Sequence, residues 1–269
     1  MNHPPTDSAV SEFDEQGFVV ANSLFSPEET AFYLDHYRNL RGSSSDHILD
    51  YTGDEHRMQF PRMLHMHRWD DVSLKWLLSE RIGNWLKALS GGLEPYAIQT
   101  MVYYKDPGRR GQALHQDQLF IRAQPGTSIA AWMALEPADE ANGCMRVVPG
   151  SHRLPVLCAA EVDTTLSFVG VGSQVPDDIE TEPVIMDAGD VMFFHGKLIH
   201  GSLPNTTTDR SRFSLIGHYV TGDATRVAEF YHPVLRMDGT VFELDQSPEG
   251  GPCGVWVTRD GERLVEIAN

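Results

Sequence analysis

The chain has 269 residues, and 21 Lys+Arg against 38 Asp+Glu give it a formal net charge of −17. This charge repels a phosphate backbone and an anionic membrane surface, so neither nucleic acid nor membrane is expected as a partner. Three cysteines without CxxC spacing argue against a disulfide framework. The sequence also has no apolar run of 18 residues and no leader-like N-terminus. Together these features predict a cytoplasmic protein.

The N-terminal part, about residues 10–92, is predicted to be helical. Ser26 begins a typical helix start, because it can act as N-cap while Glu29 completes a capping box. Apolar residues spaced for one helix face over residues 74–89 predict a second helix that starts near Asp70. Such a stripe usually packs against a core.

After about residue 94 the hydrophobic pattern changes to that of short strands, and this part of the chain, about residues 94–222, is predicted to form the core. The predicted strands are 96–104, 128–135, 144–148, 183–187, 190–195 and 212–220. Many short strands without interleaved helices favour a mainly β sandwich or barrel with the early helices packed outside it.

Turn signals lie between these strands. Asn142-Gly143 predicts a hairpin between the second and third strands, and Asp187 to Asp190 predicts the tight turn between the next two. Segment 154–182 is predicted to be a long loop and a lid candidate. Residues 1–269 are taken as one domain, with a C-terminal extension over about 223–269.

The first chemical signal is His115-Gln116-Asp117. Residues i and i+2 of a strand point to the same side, so an imidazole and a carboxylate could meet on one metal. A distant histidine would complete the two-His-one-carboxylate set that suits non-haem Fe(II) and O2. Both His195 and His200 qualify by residue type, and the spacing does not choose between them.

The second signal is Arg212, which opens an apolar strand and shares one strand face with Ser214. A partly buried guanidinium needs an anion, and no acidic residue alternates with it in this strand. A dicarboxylate co-substrate could bind it through a bidentate pair. A salt bridge to a loop Asp or Glu is the equal alternative.

The motifs, in content and order, resemble those of the phytanoyl-CoA dioxygenase family of Fe(II)- and 2-oxoglutarate-dependent oxygenases. The matching segments are HQD, AAWMALEPADEANGCMRVVPGSH, GDVMFFHGKLIHGSLPN and RFSLIGHY, within a similarity over roughly residues 10–222. The resemblance implies a double-stranded β-helix, that is, a jelly-roll or cupin-like core. It also implies an enzyme that uses Fe(II), 2-oxoglutarate and O2 to hydroxylate or otherwise oxidise a small organic metabolite, releasing succinate and CO2.

The resemblance further implies roles for single residues. It makes His115, Asp117 and His200 the iron ligands and leaves His195 outside that set. It assigns Arg212 to the far carboxylate of 2-oxoglutarate. The other residues expected to bind the co-substrate are Ser214, Trp132, Met101 and Gln99. The weaker candidates for substrate contacts are Tyr103, Arg109, Arg110, Phe120, His65, Arg62 and His218.

Three alternatives are kept beside this reading. They are a jelly-roll metalloprotein that does not use 2-oxoglutarate, a non-catalytic binding relative, and a zinc hydrolase. Retention of all three ligands and of Arg212 argues against the binding relative. The acidic composition disfavours a CoA thioester, because a phosphate-rich substrate would require more Lys and Arg near the pocket. The sequence makes no prediction of oligomeric state.

Overall fold

The computed structural model describes residues 4–43 and 62–268. Within these residues the α-helices are Asp7–Gln16 (α1), Pro27–Ser43 (α2), Asp71–Leu77 (α3), Glu80–Leu89 (α4) and Gln118–Ile121 (α5). The first strands are Phe18–Ala21 (β1), Arg62–Leu64 (β2), Pro95–Lys105 (β3), Gln112–His115 (β4), Ser128–Ala134 (β5) and Met145–Val147 (β6). The next are Ala159–Glu161 (β7), Val171–Ser173 (β8), Glu182–Val184 (β9), Val191–His195 (β10), His200–Ser202 (β11) and Arg212–Thr221 (β12). The last are Arg226–Val227 (β13), Val234–Arg236 (β14), Val241–Phe242 (β15), Asp245–Gln246 (β16), Gly254–Arg259 (β17) and Glu262–Ile267 (β18).

Two sheets form the jelly-roll core. The larger sheet has the order β1-β10-β5-β12-β3-β14-β15, with β2 also on β3, and the smaller has the order β4-β11-β6-β9. Between them lies an apolar cluster in which Trp132 and Ile216 of the larger sheet join Met145 and Val147 of the smaller. The mainly β fold predicted from the sequence is confirmed. Because β14 pairs with β3, part of the C-terminal extension belongs to the larger sheet.

The N-terminal helices pack against the other face of the larger sheet. Tyr37 of α2, Trp76 of α3 and Trp85 of α4 are buried there, and the Trp85 ring stacks on Phe193 of β10 with centroids 5.1 Å apart. Burial of such large apolar side chains is the main stabilising contribution of this layer. No helix within the described residues is long and apolar enough to cross a bilayer.

The predicted starts of two helices have different outcomes. The capping box at α2 is confirmed, since the Ser26 amide donates to Glu29 Oε2 (2.8 Å) and the Glu29 amide donates to Ser26 Oγ (3.2 Å). The second predicted helix is instead two helices, α3 and α4, interrupted at Leu78 and Ser79. The apolar stripe continues across the break, so periodicity alone did not reveal it.

The predicted hairpin at Asn142 and the predicted tight turn ending at Asp190 are both crossings between the sheets. The turn at Asn142 joins β5 of the larger sheet to β6 of the smaller, and the turn ending at Asp190 joins β9 of the smaller sheet to β10 of the larger. Gly143 and Gly189 do adopt positive φ, at 87° and 96°. The local turn chemistry was therefore read correctly, but it does not determine which strands pair.

The expectation that the cysteines form no disulfide is wrong. Cys158 and Cys253 are bonded across 95 residues, while Cys144 is buried as a free thiol. Sequence spacing gave no sign of this pair, because the contact depends on the C-terminal strand β17 lying beside the segment after Arg153. The Cys158 amide donates to the Gly254 carbonyl there (2.9 Å). The cysteine pattern consequently gives no support for a reducing compartment.

Candidate active site

Three potential metal ligands meet where the paired strands β4 and β11 of the smaller sheet lie beside the start of α5. His115 ends β4 and His200 begins β11, and the two residues are direct cross-strand partners. Asp117 Oδ1 lies 3.5 Å from His115 Nε2 and 3.7 Å from His200 Nε2. One ligand atom of each residue lies within 4.8 Å of the others, and all three side chains are buried.

Asp117 reaches this cluster by a route that the sequence did not predict. The alternation argument assumed an extended strand through His115 and Asp117, but β4 ends at His115 and Asp117 has helical dihedrals (φ −59°, ψ −34°) at the start of α5. Gln116 points away and anchors the turn, since its Nε2 donates to the Lys197 carbonyl (2.8 Å). A strand end followed by a helical turn therefore brings the carboxylate beside the imidazoles.

Backbone carbonyls set the orientation of both imidazoles. His115 Nδ1 lies 2.9 Å from the Ala113 carbonyl, and His200 Nδ1 lies 3.0 Å from the Leu198 carbonyl. A carbonyl only accepts, so each Nδ1 carries the proton and each Nε2 presents a lone pair to the cluster. The Gln112 amide nitrogen, 3.1 Å from His115 Nε2, agrees with Nε2 being the acceptor.

The protonation states suit metal binding. Burial, together with the neighbouring His115, lowers the pKa of His200 to about 4, so this imidazole is neutral at pH 7. Burial raises the pKa of Asp117, but the surrounding imidazoles outweigh burial and hold that pKa well below its usual range. Two imidazole nitrogens and one carboxylate match the donor set of non-haem Fe(II), which leaves other coordination positions open.

His218 contacts the same carboxylate from the opposite side. Its Nε2 lies 3.2 Å from Asp117 Oδ2, which is the oxygen turned away from the two histidine ligands. His218 was expected as a weak substrate contact. In the structure it lines the cavity described below, and it is also placed to fix the orientation of Asp117.

His195 lies outside the cluster, so the choice that spacing left open is made by the fold. Its ring packs near His152 (5.3 Å between centroids) and Phe13 (6.4 Å). Its Nδ1 accepts from the Lys197 amide (3.1 Å). His195 therefore belongs to the packing between α1 and β10.

Strands β3 and β12 carry a set of paired side chains that we call the inner ladder. Every second residue of β3 faces every second residue of β12 across the antiparallel register. The four pairs are Gln99 with His218, Met101 with Ile216, Tyr103 with Ser214, and Lys105 with Arg212. The predicted residues Gln99, Met101 and Tyr103 thus lead from the metal cluster towards Arg212.

Arg212 is 2% exposed, and its contacts are with uncharged groups. One guanidinium nitrogen donates to Ser214 Oγ (2.8 Å), Nε donates to the Gly143 carbonyl (3.2 Å), and the group lies over the Trp132 ring (5.2 Å). Burial lowers the pKa of Arg212 to about 10, which leaves it charged at pH 7. Within residues 4–43 and 62–268 no Asp or Glu forms an ion pair with Arg212, which disfavours the salt-bridge alternative and leaves the cation available to an anionic ligand.

A cavity of about 570 Å³ opens beside the metal cluster. The predicted residues that line it, besides His115 and Asp117, are Arg62, Gln99, Met101, Tyr103, Phe120 and His218. Lining residues that the sequence analysis missed include Arg122, Val169, Val171, Phe230 and Tyr231. The missed residues come from the 154–182 segment, the C-terminal extension and the end of α5, and no local motif indicates that these segments reach the cavity.

Other predicted residues lie elsewhere. Arg109 and Arg110, which were expected among the substrate contacts, line a separate cavity of about 520 Å³ between their loop and the 154–182 segment. His65 packs against the Phe230 ring (4.6 Å between centroids), one layer behind the wall of the first cavity. Trp132 is 2% exposed and lies beneath Arg212.

Comparison with known proteins gives a consistent set of relatives. The family model "Phytanoyl-CoA dioxygenase (PhyH)" matches residues 13–214. A "Phytanoyl-CoA dioxygenase domain-containing protein 1" of Danio rerio is 26% identical, covering 82% of this chain and 91% of the relative. A "Probable alpha-ketoglutarate-dependent hypophosphite dioxygenase" of Stutzerimonas stutzeri is 27% identical, covering 79% of this chain and 78% of the relative.

Two solved structures are similar in fold. One is the non-heme alpha ketoglutarate dependent carbocyclase SnoK from nogalamycin biosynthesis, with a TM-score of 0.69, 22% identity, and coverage of 82% of this chain and 86% of that one. The other is EctD from S. alaskensis with 2-oxoglutarate and 5-hydroxyectoine, with a TM-score of 0.65, 21% identity, and coverage of 81% and 77%. At these identities the likeness shows a shared fold.

Proposed function

The chain belongs to the phytanoyl-CoA dioxygenase family and is a 2-oxoglutarate-dependent non-haem iron dioxygenase, and from this premise we propose that it hydroxylates a small organic metabolite in the 570 Å³ cavity. One observation supports this proposal above the others. A buried cluster of two imidazoles and one carboxylate reaches the wall of that cavity through His115 and Asp117, and the inner ladder leads from it to a buried arginine without an acidic ion-pair partner among the described residues. The chain thus offers nitrogen and oxygen ligands for a metal ion and, separately, a buried cation for a dicarboxylate.

In this proposal His115, Asp117 and His200 hold Fe(II) through Nε2, a carboxylate oxygen and Nε2. Fe(II) bound there, together with 2-oxoglutarate and O2, would supply the oxidising power for hydroxylation of a C–H bond, with succinate and CO2 as the co-products. The protein keeps these ligands in place. Carbonyl acceptors fix both imidazole rings, and His218 holds the second oxygen of Asp117.

Arg212 receives the far carboxylate of 2-oxoglutarate, because a buried guanidinium that has no ion pair with a described Asp or Glu can form a bidentate, charge-assisted contact with an anion. Ser214 and Trp132 hold that guanidinium from the side and from below. Met101 and Gln99 form the wall between Arg212 and the metal cluster. These buried groups exclude bulk water from the co-substrate, which strengthens the electrostatic contact with Arg212.

The walls of the cavity indicate the chemical class of the substrate. Phe120, Val171 and Phe230 supply apolar surface, whereas Arg62 and Arg122 supply positive charge. The volume falls in the usual range for small-molecule sites, roughly 300–1,000 Å³. We therefore propose an amphipathic metabolite with an apolar skeleton and a polar or anionic group, held beside the metal for hydroxylation.

The test is succinate formation by the purified protein with Fe(II), 2-oxoglutarate, O2 and a panel of small amphipathic metabolites. We expect substrate-stimulated succinate release, its loss in Asp117→Ala, and at least about a tenfold rise in the KM for 2-oxoglutarate in Arg212→Met, as expected for loss of a buried charge-assisted contact. Unchanged turnover in Asp117→Ala, or an unchanged KM in Arg212→Met, would contradict the assigned roles. Activity that needs Zn(II) and no O2 would favour a hydrolase instead.

A further inference from the structure

The inner ladder ends at the buried pair Lys105 and Arg212, which we call its closed end. This end holds a second cation that the proposed function does not use. Lys105 faces Arg212 directly across β3 and β12, and it is 2% exposed, as Arg212 is. A fully buried lysine is rare, because an ammonium loses its hydration on burial and normally regains the energy from an acidic partner. Two buried cations on neighbouring strands therefore need an explanation for how the cost of burying their charges is offset.

Lys105 uses all its protons on neutral acceptors. Its Nζ donates to the Leu203 carbonyl (2.6 Å), to Ser202 Oγ (2.8 Å) and to the Gly143 carbonyl (3.2 Å). An ammonium has three donors, so hydrogen bonding is complete while the charge is uncompensated. Among the described residues Lys105 has no ion pair with Asp or Glu.

The two cations are coupled through one backbone group. The Gly143 carbonyl lies 3.2 Å from Lys105 Nζ and also 3.2 Å from Arg212 Nε. Gly143 itself leaves room for the lysine, since a Cβ there would lie 2.8 Å from Lys105 Cδ. Among the described residues, Cys144 is the ionisable side chain whose negative form would raise the pKa of Lys105, but burial raises the pKa of this thiol to about 11, so it is neutral at pH 7. Glu136, whose carboxylate is paired with Arg38, raises the pKa of Arg212 without contacting it directly.

The electrostatic consequence is a pair of buried cations that, among the described residues, have no carboxylate in direct contact. Burial and the neighbouring Arg212 lower the pKa of Lys105 well below its ordinary value, which means that the two positive charges disfavour each other. An anion beside them relieves this repulsion. Ser202 follows the ligand His200 by two residues on β11, so the contact of Lys105 with Ser202 also ties this end of the ladder to the metal-binding strand.

We propose that Lys105 is a positioning and specificity residue of the co-substrate site, whose ammonium gives the closed end a second positive charge and so selects a 2-oxo dicarboxylate over a 2-oxo monocarboxylate. The inference rests on the proposed role of Arg212 as the group that receives the far carboxylate. Lys105 acts through the electrostatic potential of its charge and by holding Gly143 and Ser202 in place, since its ammonium protons already donate to other acceptors.

The test compares two ligands on the Mn(II)-loaded protein by calorimetry. One ligand is 2-oxoglutarate, and the other is 2-oxopentanoate, which has the same carbon chain without the far carboxylate. Lys105→Gln keeps donors for two of the three acceptors but removes the charge. We expect its affinity for 2-oxoglutarate to fall about tenfold to a hundredfold and its affinity for 2-oxopentanoate to change less than about threefold. The reason is that only the dicarboxylate places its far carboxylate beside the charge that the substitution removes.

Matched variants separate charge from structure. Lys75→Gln, at an exposed position of α3, should leave both affinities unchanged, and Lys105→Arg should restore the preference for the dicarboxylate. Lys105→Met is the second neutral variant. Equal weakening of both ligands, an unchanged ratio, or loss of cooperative unfolding in both neutral variants would overturn the inference, since Lys105 would then have a structural role.

The same measurements keep this inference distinct from the proposed function. If wild-type protein fails to bind 2-oxoglutarate, or if Arg212→Met binds it as wild type does, the assignment of the co-substrate site itself is wrong. If wild type and Arg212→Met behave as expected while Lys105→Gln retains the full preference, only the role of Lys105 is rejected.

Discussion

At the scale of single residues, position in the strand register determines which histidine lies in the candidate metal cluster. His200 and His195 have the same chemistry and lie five positions apart, yet only His200 faces His115 across β11 and β4. The sequence could supply both candidates but not the strand register that separates them. The identity of Asp117 was predictable for the same chemical reason, whereas its position at a helical turn was not.

The first prediction concerns metal affinity. His200→Ala should weaken Mn(II) binding by at least about a hundredfold, because one of three protein ligands is lost. His195→Asn, which can keep an acceptor for the Lys197 amide, should leave the affinity within about threefold, since only a residue outside the cluster changes. Calorimetric titration of the metal-free protein measures both. Equal losses in the two variants would show that His195 also contributes to the site.

His195 provides the second prediction, which concerns pH. Burial, with smaller contributions from His152 and Lys197, lowers the pKa of His195 from 6.5 to about 3. Between these values the unfolded chain binds the extra proton and the folded chain does not, so stability falls as the pH falls through about 6.5. From about pH 7.5 to about pH 5.5 the wild type should lose about 1 kcal/mol more of its unfolding free energy than His195→Asn does.

Denaturant unfolding with a chelator present checks this expectation, because the chelator removes the separate effect of pH on metal binding. The other histidines with lowered pKa values are retained in both proteins, and their contribution cancels in the comparison. Parallel loss of stability in wild type and variant would mean that His195 titrates normally in the folded protein.

At the scale of elements, the sequence predicted local geometry better than pairing. The capping box at Ser26 and the turn at Asn142 both exist, because each depends on residues within a few positions. The partner of β5, in contrast, is chosen by contacts with β10 and β12, which lie far along the chain. A jelly roll repeatedly crosses between its sheets, so short connections that resemble hairpins need not be hairpins.

Asn142 gives the prediction at this scale. Its Oδ1 accepts from the Asp139 amide (2.8 Å), and its Nδ2 donates to the carbonyls of Pro137 (2.8 Å) and Ser211 (3.3 Å). Asn142→Ala removes the partner of three partly buried backbone groups, and we expect it to lower the unfolding free energy by about 1–3 kcal/mol. Asn22→Ala, at an exposed position, should change it by less than about 0.5 kcal/mol.

Urea denaturation of both variants measures these changes. A loss below about 0.5 kcal/mol in Asn142→Ala would show that water replaces the amide without cost. The sheet crossing would then be held by other contacts, such as the strand pairing on either side of the turn.

At the scale of the whole molecule, distant segments complete the site. Val171 of the 154–182 segment and Phe230 of the C-terminal extension share the cavity wall with Met101 of the core. The sequence identified the core residues through their motifs, but these two segments carry no motif. Their contribution is visible only once the chain is folded, and the disulfide joins them near Cys158.

The disulfide yields the prediction at this scale. In denaturant without reductant, one thiol per chain should react, that of Cys144, and three should react after reduction. Replacing both Cys158 and Cys253 by Ser should lower the unfolding free energy by roughly 2–4 kcal/mol, since a long loop gains freedom in the unfolded chain. The midpoint of this variant should no longer respond to reductant. Three reactive thiols before reduction would contradict the bond.

The inner ladder also limits which changes in strand length the site can tolerate. Inserting one residue into β3 or β12 would turn every later inward side chain to the opposite face, and so would separate Arg212 from Lys105 or His218 from Asp117. The irregularity that the pair does contain falls after His218, just beyond the last rung. Substitutions at the Gln99 end and in the segments around the cavity can therefore alter the cavity wall without shifting the register that sets Arg212 opposite Lys105.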